Sequence, residues 1–245
     1  MQRVIVRSAH AQGAPTPVVV LDLDGTLMDN RPRTCAILHD FARSVRARDP
    51  ALATRLLAVT PDQLAYLFTE SLGRLGIHRM EEVAELEVYW RERFFADAHL
   101  RHDVEVPGAV AFARACYDAG AILVYLTGRD LPLMGIGTFQ SLRDLGFPIG
   151  LPGTELVLKP DAAMPDEAFK RLTAPTLGRI GEIVAVFDNE PGNCNVFHKV
   201  YPGADTVLID TQCMPGAPPP DEGVHVIADF GLLKVQSERR VVRAG

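Results

Sequence analysis

The stretch Val18-Val19-Val20-Leu21-Asp22-Leu23-Asp24-Gly25-Thr26-Leu27 decides how the chain is read. Val18 to Leu21 is short, apolar and β-branched, which suits a strand buried on both faces of a parallel sheet. It ends on acids and not on turn residues. Asp22 and Asp24 therefore belong at the carboxyl edge of a central strand, where open α/β sheets bind ligands. If the backbone leaves extended geometry after Asp22, both carboxylates face one small volume. Such crowding favours a hard divalent cation held by oxygens, and so predicts Mg²⁺.

Asp22-Leu23-Asp24-Gly25-Thr26-Leu27 resembles the first motif of the haloacid dehalogenase (HAD) superfamily, and the rest of the chain supplies three further stretches in the family's order. The apolar run Ile122 to Leu126 leads into Thr127-Gly128, similar to the second motif. Its hydroxyl and glycine amide suit an incoming phosphoryl oxygen, because glycine admits close approach. For the third, a lysine, there are two candidates, Lys159 and Lys170. Lys170 is preferred because it lies 18 residues before Asp188 and near the start of a helix. The arrangement Asp166 to Lys170 also resembles polynucleotide 3'-phosphatase branches, in which Asp166 would hold the lysine. The fourth is Asp188 after the strand Ile183 to Phe187. Asn189 follows where many relatives carry a second Asp, and Glu190 and Asn193 come after it.

The resemblance implies a Mg²⁺-dependent phosphatase acting on a small phosphorylated metabolite or nucleotide. Asp22 would attack phosphorus and Asp24 would serve as acid and then base. Thr127, Gly128 and Lys170 would hold the phosphoryl oxygens. The metal ligands would be Asp22, Asp24 through its backbone carbonyl, and Asp188. An acid two residues after the nucleophile suits an alkoxide leaving group, which needs a proton, and not a halide. The alternatives are a phosphotransferase or phosphomutase on the same scaffold, a polynucleotide-type 3'-phosphatase, and a catalytically silent module.

The 245 residues are 47% hydrophobic, enough for one substantial core with an appendage. The expectation is a Rossmann-like doubly wound parallel α/β sheet interrupted by a helical cap. The core would comprise 18–29 and 103–235, the cap 30–102, with 1–17 an N-terminal segment and linker and 236–245 a tail. Within the cap, helices are expected around Leu38 to Val45, from Thr60 as N-cap through Leu75 to a stop at Gly76, and from about Met80 to Phe95. In the core, helices are expected from about 135 to 145 and from about 166 to 180. Arg31 and Arg33, where the cap begins, read either as a grip for a second anionic group or as a solvated hinge.

The net charge of −6, without a basic run, argues against nucleic acid as a partner. No apolar run is long enough for a membrane span, so no membrane partner is expected and the cytoplasm is the expected location. Cys35, Cys116, Cys194 and Cys213 form no Cys-x-x-Cys pair, and His39, His78, His102 and His198 lack metal-ligand spacing. The sequence leaves the oligomeric state and the physiological substrate open.

Overall fold

A computed structural model describes residues 1–231. In chain order the helices are α1 (Gln2–Arg7), α2 (Arg31–Val45), α3 (Pro50–Leu57), α4 (Phe68–Arg74), α5 (Met80–Phe94), α6 (Ala109–Asp118), α7 (Leu131–Leu145), α8 (Asp166–Leu177) and α9 (Pro191–Val200). The strands are β1 (Pro17–Leu21), β2 (Met28–Asp29), β3 (Val104–Glu105), β4 (Ile122–Asp130), β5 (Thr154–Lys159), β6 (Glu182–Asp188), β7 (Asp205–Ile209) and β8 (His225–Ile227). Six strands form one sheet in the order β5-β4-β1-β6-β7-β8, and every pairing in it is parallel. This is the expected Rossmann-like α/β architecture.

β1 is central and buried along its whole length, and the period of two in its side chains serves two cores. Val19 and Leu21 pack with Phe112, Ala113 and Cys116 of α6 on one face. Val18 and Val20 pack with Phe169 of α8 and Phe197 of α9 on the other. β4 and β6 flank β1, so Asp22, Thr127 and Asp188 emerge side by side at the carboxyl edge.

Helices α2 to α5 lie between the short antiparallel pair β2–β3, in which Met28 faces Glu105 and Asp29 faces Val104. They carry their own apolar cluster, including Phe41, Leu56, Phe68 and Leu86. Each side of that pair is only two residues long, too short for an alternation signal in the sequence.

Several boundaries differ from the sequence expectations. Thr60 does form a capping box with Gln63, but it opens only a 3-10 turn, Pro61–Gln63; Leu64 leaves helical geometry at ψ 136° and the helix restarts at Phe68. The Ser71 hydroxyl takes the Ala65 amide as donor, which stabilises this break. α3 was not expected, although Asp49 caps it through Leu52 N–H and Pro50 occupies its first turn. α7 begins four residues earlier than expected because Asp130 caps it by accepting from Leu133 N–H. α1 forms within the N-terminal segment, ahead of the linker, and α8 ends at Leu177. The tail 236–245 lies outside the described residues.

Candidate active site

β1 delivers Asp22 to the floor of a cavity of about 1300 Å³ that is also lined by Asp24, Thr127, Gly128 and Lys170. Asp22 is held from two sides. Its Oδ1 accepts from Lys170 Nζ at 2.7 Å, and its Oδ2 accepts from the Thr26 hydroxyl at 2.9 Å. Lys170 is the fifth residue of α8 and nearly fully buried; its Nζ donates also to Asp188 Oδ2 at 2.7 Å. One ammonium thus bridges the two carboxylates. Asp188 is buried beside the cavity, and its other oxygen accepts from Glu190 N–H and Asn193 Nδ2.

The electrostatics follow from this crowding. Burial pushes the Asp22 carboxyl up to about 7; Lys170 opposes the shift, while Asp188 and Asp24 add to it. Lys170 is driven the other way. Burial would lower its pKa, but Asp188 and Asp22 hold it protonated, above the ordinary lysine range.

Lys159 is placed elsewhere. Its Nζ donates to Asp166 Oδ1 at 2.6 Å and to the Met164 carbonyl at 2.9 Å. Asp166 was expected to steady Lys170; instead it pairs with Lys159 and rests against Gly128. A Cβ on Gly128 would displace that carboxylate.

Asp24 is engaged by two arginines. Arg129 donates from Nε to Oδ2 at 2.6 Å and from Nη2 to Oδ1 at 2.9 Å, a bidentate fork. Arg33 Nη2 donates to Oδ1 at 2.7 Å. Both guanidinium groups also bind Asp103, whose side chain is buried. Burial alone would raise the Asp24 pKa, but Arg129 and Arg33 overcome it and hold the carboxyl well below the usual range. This four-residue network was not foreseen. Its members are 9 to 105 residues apart, and only Arg129, directly after Thr127-Gly128, had a position that could have suggested it.

The network also settles Arg33, which is buried and committed to carboxylates. Arg31 grips Asp29 through Nε and Nη2 at 2.9 and 2.8 Å. Arg33 is thereby committed within the chain, whereas Arg31 is partly exposed and pairs with one carboxylate only. Asn189 likewise acts within the chain: its Nδ2 donates to the Gln212 carbonyl at 2.6 Å, its Oδ1 accepts from Thr26, and its amide fills the space beside Gly25, whose φ is +80°. The two main loops of the site are thereby fixed to each other.

Two oxygen-only acids, Asp22 and Asp188, are buried side by side against one ammonium. That donor set fits a hard divalent cation. No cluster of three or more His, Cys, Asp or Glu side chains suited to a metal occurs among the described residues. Among them, too, no helix is long and apolar enough to cross a membrane.

No family model matches the sequence, and no curated protein matches it. Solved structures do match in fold. A Clostridium difficile protein provisionally assigned as a phosphatase superposes with a TM-score of 0.55 at 13% identity, covering 91% of this chain and 97% of that one. A HAD-superfamily hydrolase of subfamily IA from Geobacter sulfurreducens gives 0.53 at 12% identity, over 93% and 99%. Protein Tyrosine Kinase A from Mycobacterium tuberculosis gives 0.53 at 17%, over 91% and 98%. With its six-stranded parallel sheet and helices between β2 and β3, this chain has the fold of the HAD-superfamily hydrolases.

Proposed function

We propose that the protein is a Mg²⁺-dependent phosphatase that hydrolyses a small phosphate monoester, with Asp22 as nucleophile. The observation that carries this reading is the convergence of Asp22, Asp24, Thr127, Gly128 and Lys170 on one cavity at the carboxyl edge of β1 and β4.

Asp22 is held with Oδ1 on Lys170 and Oδ2 on Thr26, which fixes the plane of its carboxylate toward the cavity. Attack of this carboxylate on phosphorus would give an aspartyl-phosphate and release the alcohol, dividing one difficult displacement into two easier ones. The Thr127 hydroxyl and Gly128 amide would donate to phosphoryl oxygens, and Lys170 would offset their charge. Asp24, as its arginines hold it, is ionised, the form that takes a proton from water when the aspartyl-phosphate is hydrolysed. Giving a proton to the leaving oxygen requires Asp24 to acquire one, and therefore to leave the fork of Arg129 and Arg33. Mg²⁺, held by Asp22, Asp188 and the Asp24 backbone carbonyl, would neutralise the approach of a carboxylate to a phosphate dianion.

Phosphate release from a panel of monoesters, in Mg²⁺ and in chelator, tests the reading with wild type and Asp22→Asn. The expected result is Mg²⁺-dependent release by the wild type alone. Release that persists in Asp22→Asn would overturn it.

A further inference from the structure

Part of the cavity wall comes from the helices between β2 and β3, and its chemistry is unlike that around Asp22. Helix α5 presents Glu87, Trp90 and Phe94 to the cavity at spacings of three and four residues, one face of a helix. The rings there form a cluster. Phe68 and Trp90 stack at 4.5 Å between centroids, Trp90 and Phe94 at 4.5 Å, and Phe95 meets Phe94 edge-on at 5.1 Å. Phe95 and Tyr66 keep about 43% and 40% of their surface open, so ring surface is available to a ligand.

Charge on the lining is one-sided. Ten carboxylates and four basic side chains line the cavity. All four bases already have carboxylate partners: Lys170 with Asp22 and Asp188, Arg129 and Arg33 with Asp24 and Asp103, and Arg31 with Asp29. Each base is thus already paired with a carboxylate before any ligand enters. Glu87 is the reverse case. Its neighbours on α5, Glu82, Glu85 and Glu92, pair with Arg79, Arg48 and Arg93, whereas Glu87 has no ion-pair partner among the described residues. An unpaired carboxylate lining the same cavity as open aromatic rings is the chemistry that recognises an ammonium group, by charge and by attraction to the ring quadrupole.

Resting on the phosphatase reading, we propose that the substrate is the phosphate ester of an amino alcohol, with its protonated or quaternary amine taken by Glu87 and the open rings of Tyr66 and Phe95. The phosphoryl group lies at Asp22 and the amine lies under the cap. A nucleotide would also use the rings, but it would leave Glu87 without a partner.

Two measurements on the full-length protein test this. Trp90 is the chain's single tryptophan, so its fluorescence reports on the wall irrespective of catalysis. Choline is expected to change the emission saturably, and the uncharged isostere 3,3-dimethylbutanol to bind roughly tenfold more weakly or worse, the scale of one cation–π contact with an ion pair. Glu87→Gln should reduce that preference several-fold. In the Mg²⁺ assay, phosphocholine should exceed 3,3-dimethylbutyl phosphate in kcat/KM by about tenfold, and the ratio should fall toward one in Glu87→Gln. Equal binding of choline and its neutral isostere would overturn the proposal, as would faster hydrolysis of the neutral ester or of a nucleoside monophosphate. If p-nitrophenyl phosphate is hydrolysed while choline shows no advantage, this inference fails and the phosphatase reading stands. If choline binds selectively but no ester is hydrolysed, the cation site stands and the phosphatase reading fails.

Discussion

The Lys170 ammonium nitrogen lies 2.7 Å from Oδ1 of Asp22, and at the same distance from Oδ2 of Asp188. It is the only cation within ion-pair range of either buried carboxylate among the described residues. Replacing it with methionine leaves two uncompensated buried charges, which costs about 3–5 kcal/mol. Lys170→Met should therefore lose stability on that scale in urea unfolding and lose phosphate release altogether. Lys159→Met should change stability by under about 1 kcal/mol, because its partner Asp166 is 63% exposed.

Asp22 gives the metal-free protein a pH signature. Its carboxyl is held up at about 7 in the fold, against 3.8 as the ordinary value. The native state thus keeps a proton that the unfolded chain has released. Its contribution to stability is complete below about pH 4 and disappears as pH rises through 7. The thermal midpoint of the metal-free wild type should therefore fall more between pH 5 and pH 8 than that of Asp22→Asn. Added Mg²⁺ should restore the wild type at pH 8. Parallel pH profiles for the two proteins would contradict this account of the site.

Much of this was legible in the sequence, and the limits have physical causes. The run Val18 to Leu21 announced a central strand because a strand buried on both faces has no polar alternation to blur it. Asp22 could be read because it follows the end of β1 directly, whereas β4 runs on past Thr127 to Asp130. Lys170 could be preferred over Lys159 by its distance from Asp188 along the chain. The pairing of Asp166 with Lys159 could not be read, since both candidate lysines lie within reach of it in sequence. Arg33, Asp103 and Arg129 were equally hidden. Buried ion pairs formed across 70 and 26 residues leave no local pattern, and each residue alone resembles a surface charge. The break at Leu64 to Leu67 was missed for a related reason. Leu64, Phe68 and Leu72 keep helical spacing even though the backbone leaves helical geometry at Leu64 and Leu67.

Asp103 is the hub that joins the start of the cap to the core, binding Arg33 on α2 and Arg129 after Gly128. Asp103→Ala leaves two buried guanidinium groups competing for Asp24, with an expected cost of about 3–5 kcal/mol in chemical denaturation. Glu70→Ala, which removes an exposed i,i+4 pair with Arg74, should cost no more than about 0.5 kcal/mol. Similar losses for the two would show that the network carries no special weight.

Asp24 should matter in proportion to the leaving group's need for a proton. Asp24→Asn should lower kcat for an alkyl phosphate by about 10²–10⁴, the range for a positioned acid or base. It should lower p-nitrophenyl phosphate hydrolysis less, because that phenolate leaves readily without protonation. Equal losses on both esters would assign Asp24 a role in holding structure or metal instead of in proton transfer.

The central claim is that the Asp22 carboxylate becomes covalently phosphorylated. The direct measurement is acid quenching during turnover of a phosphate monoester with Mg²⁺, followed by peptide mass spectrometry. The account predicts a phosphate adduct on the peptide carrying Asp22, labile to hydroxylamine and absent from Asp22→Asn. Steady Mg²⁺-dependent turnover with no adduct on that peptide, or with the adduct on another residue, would contradict it.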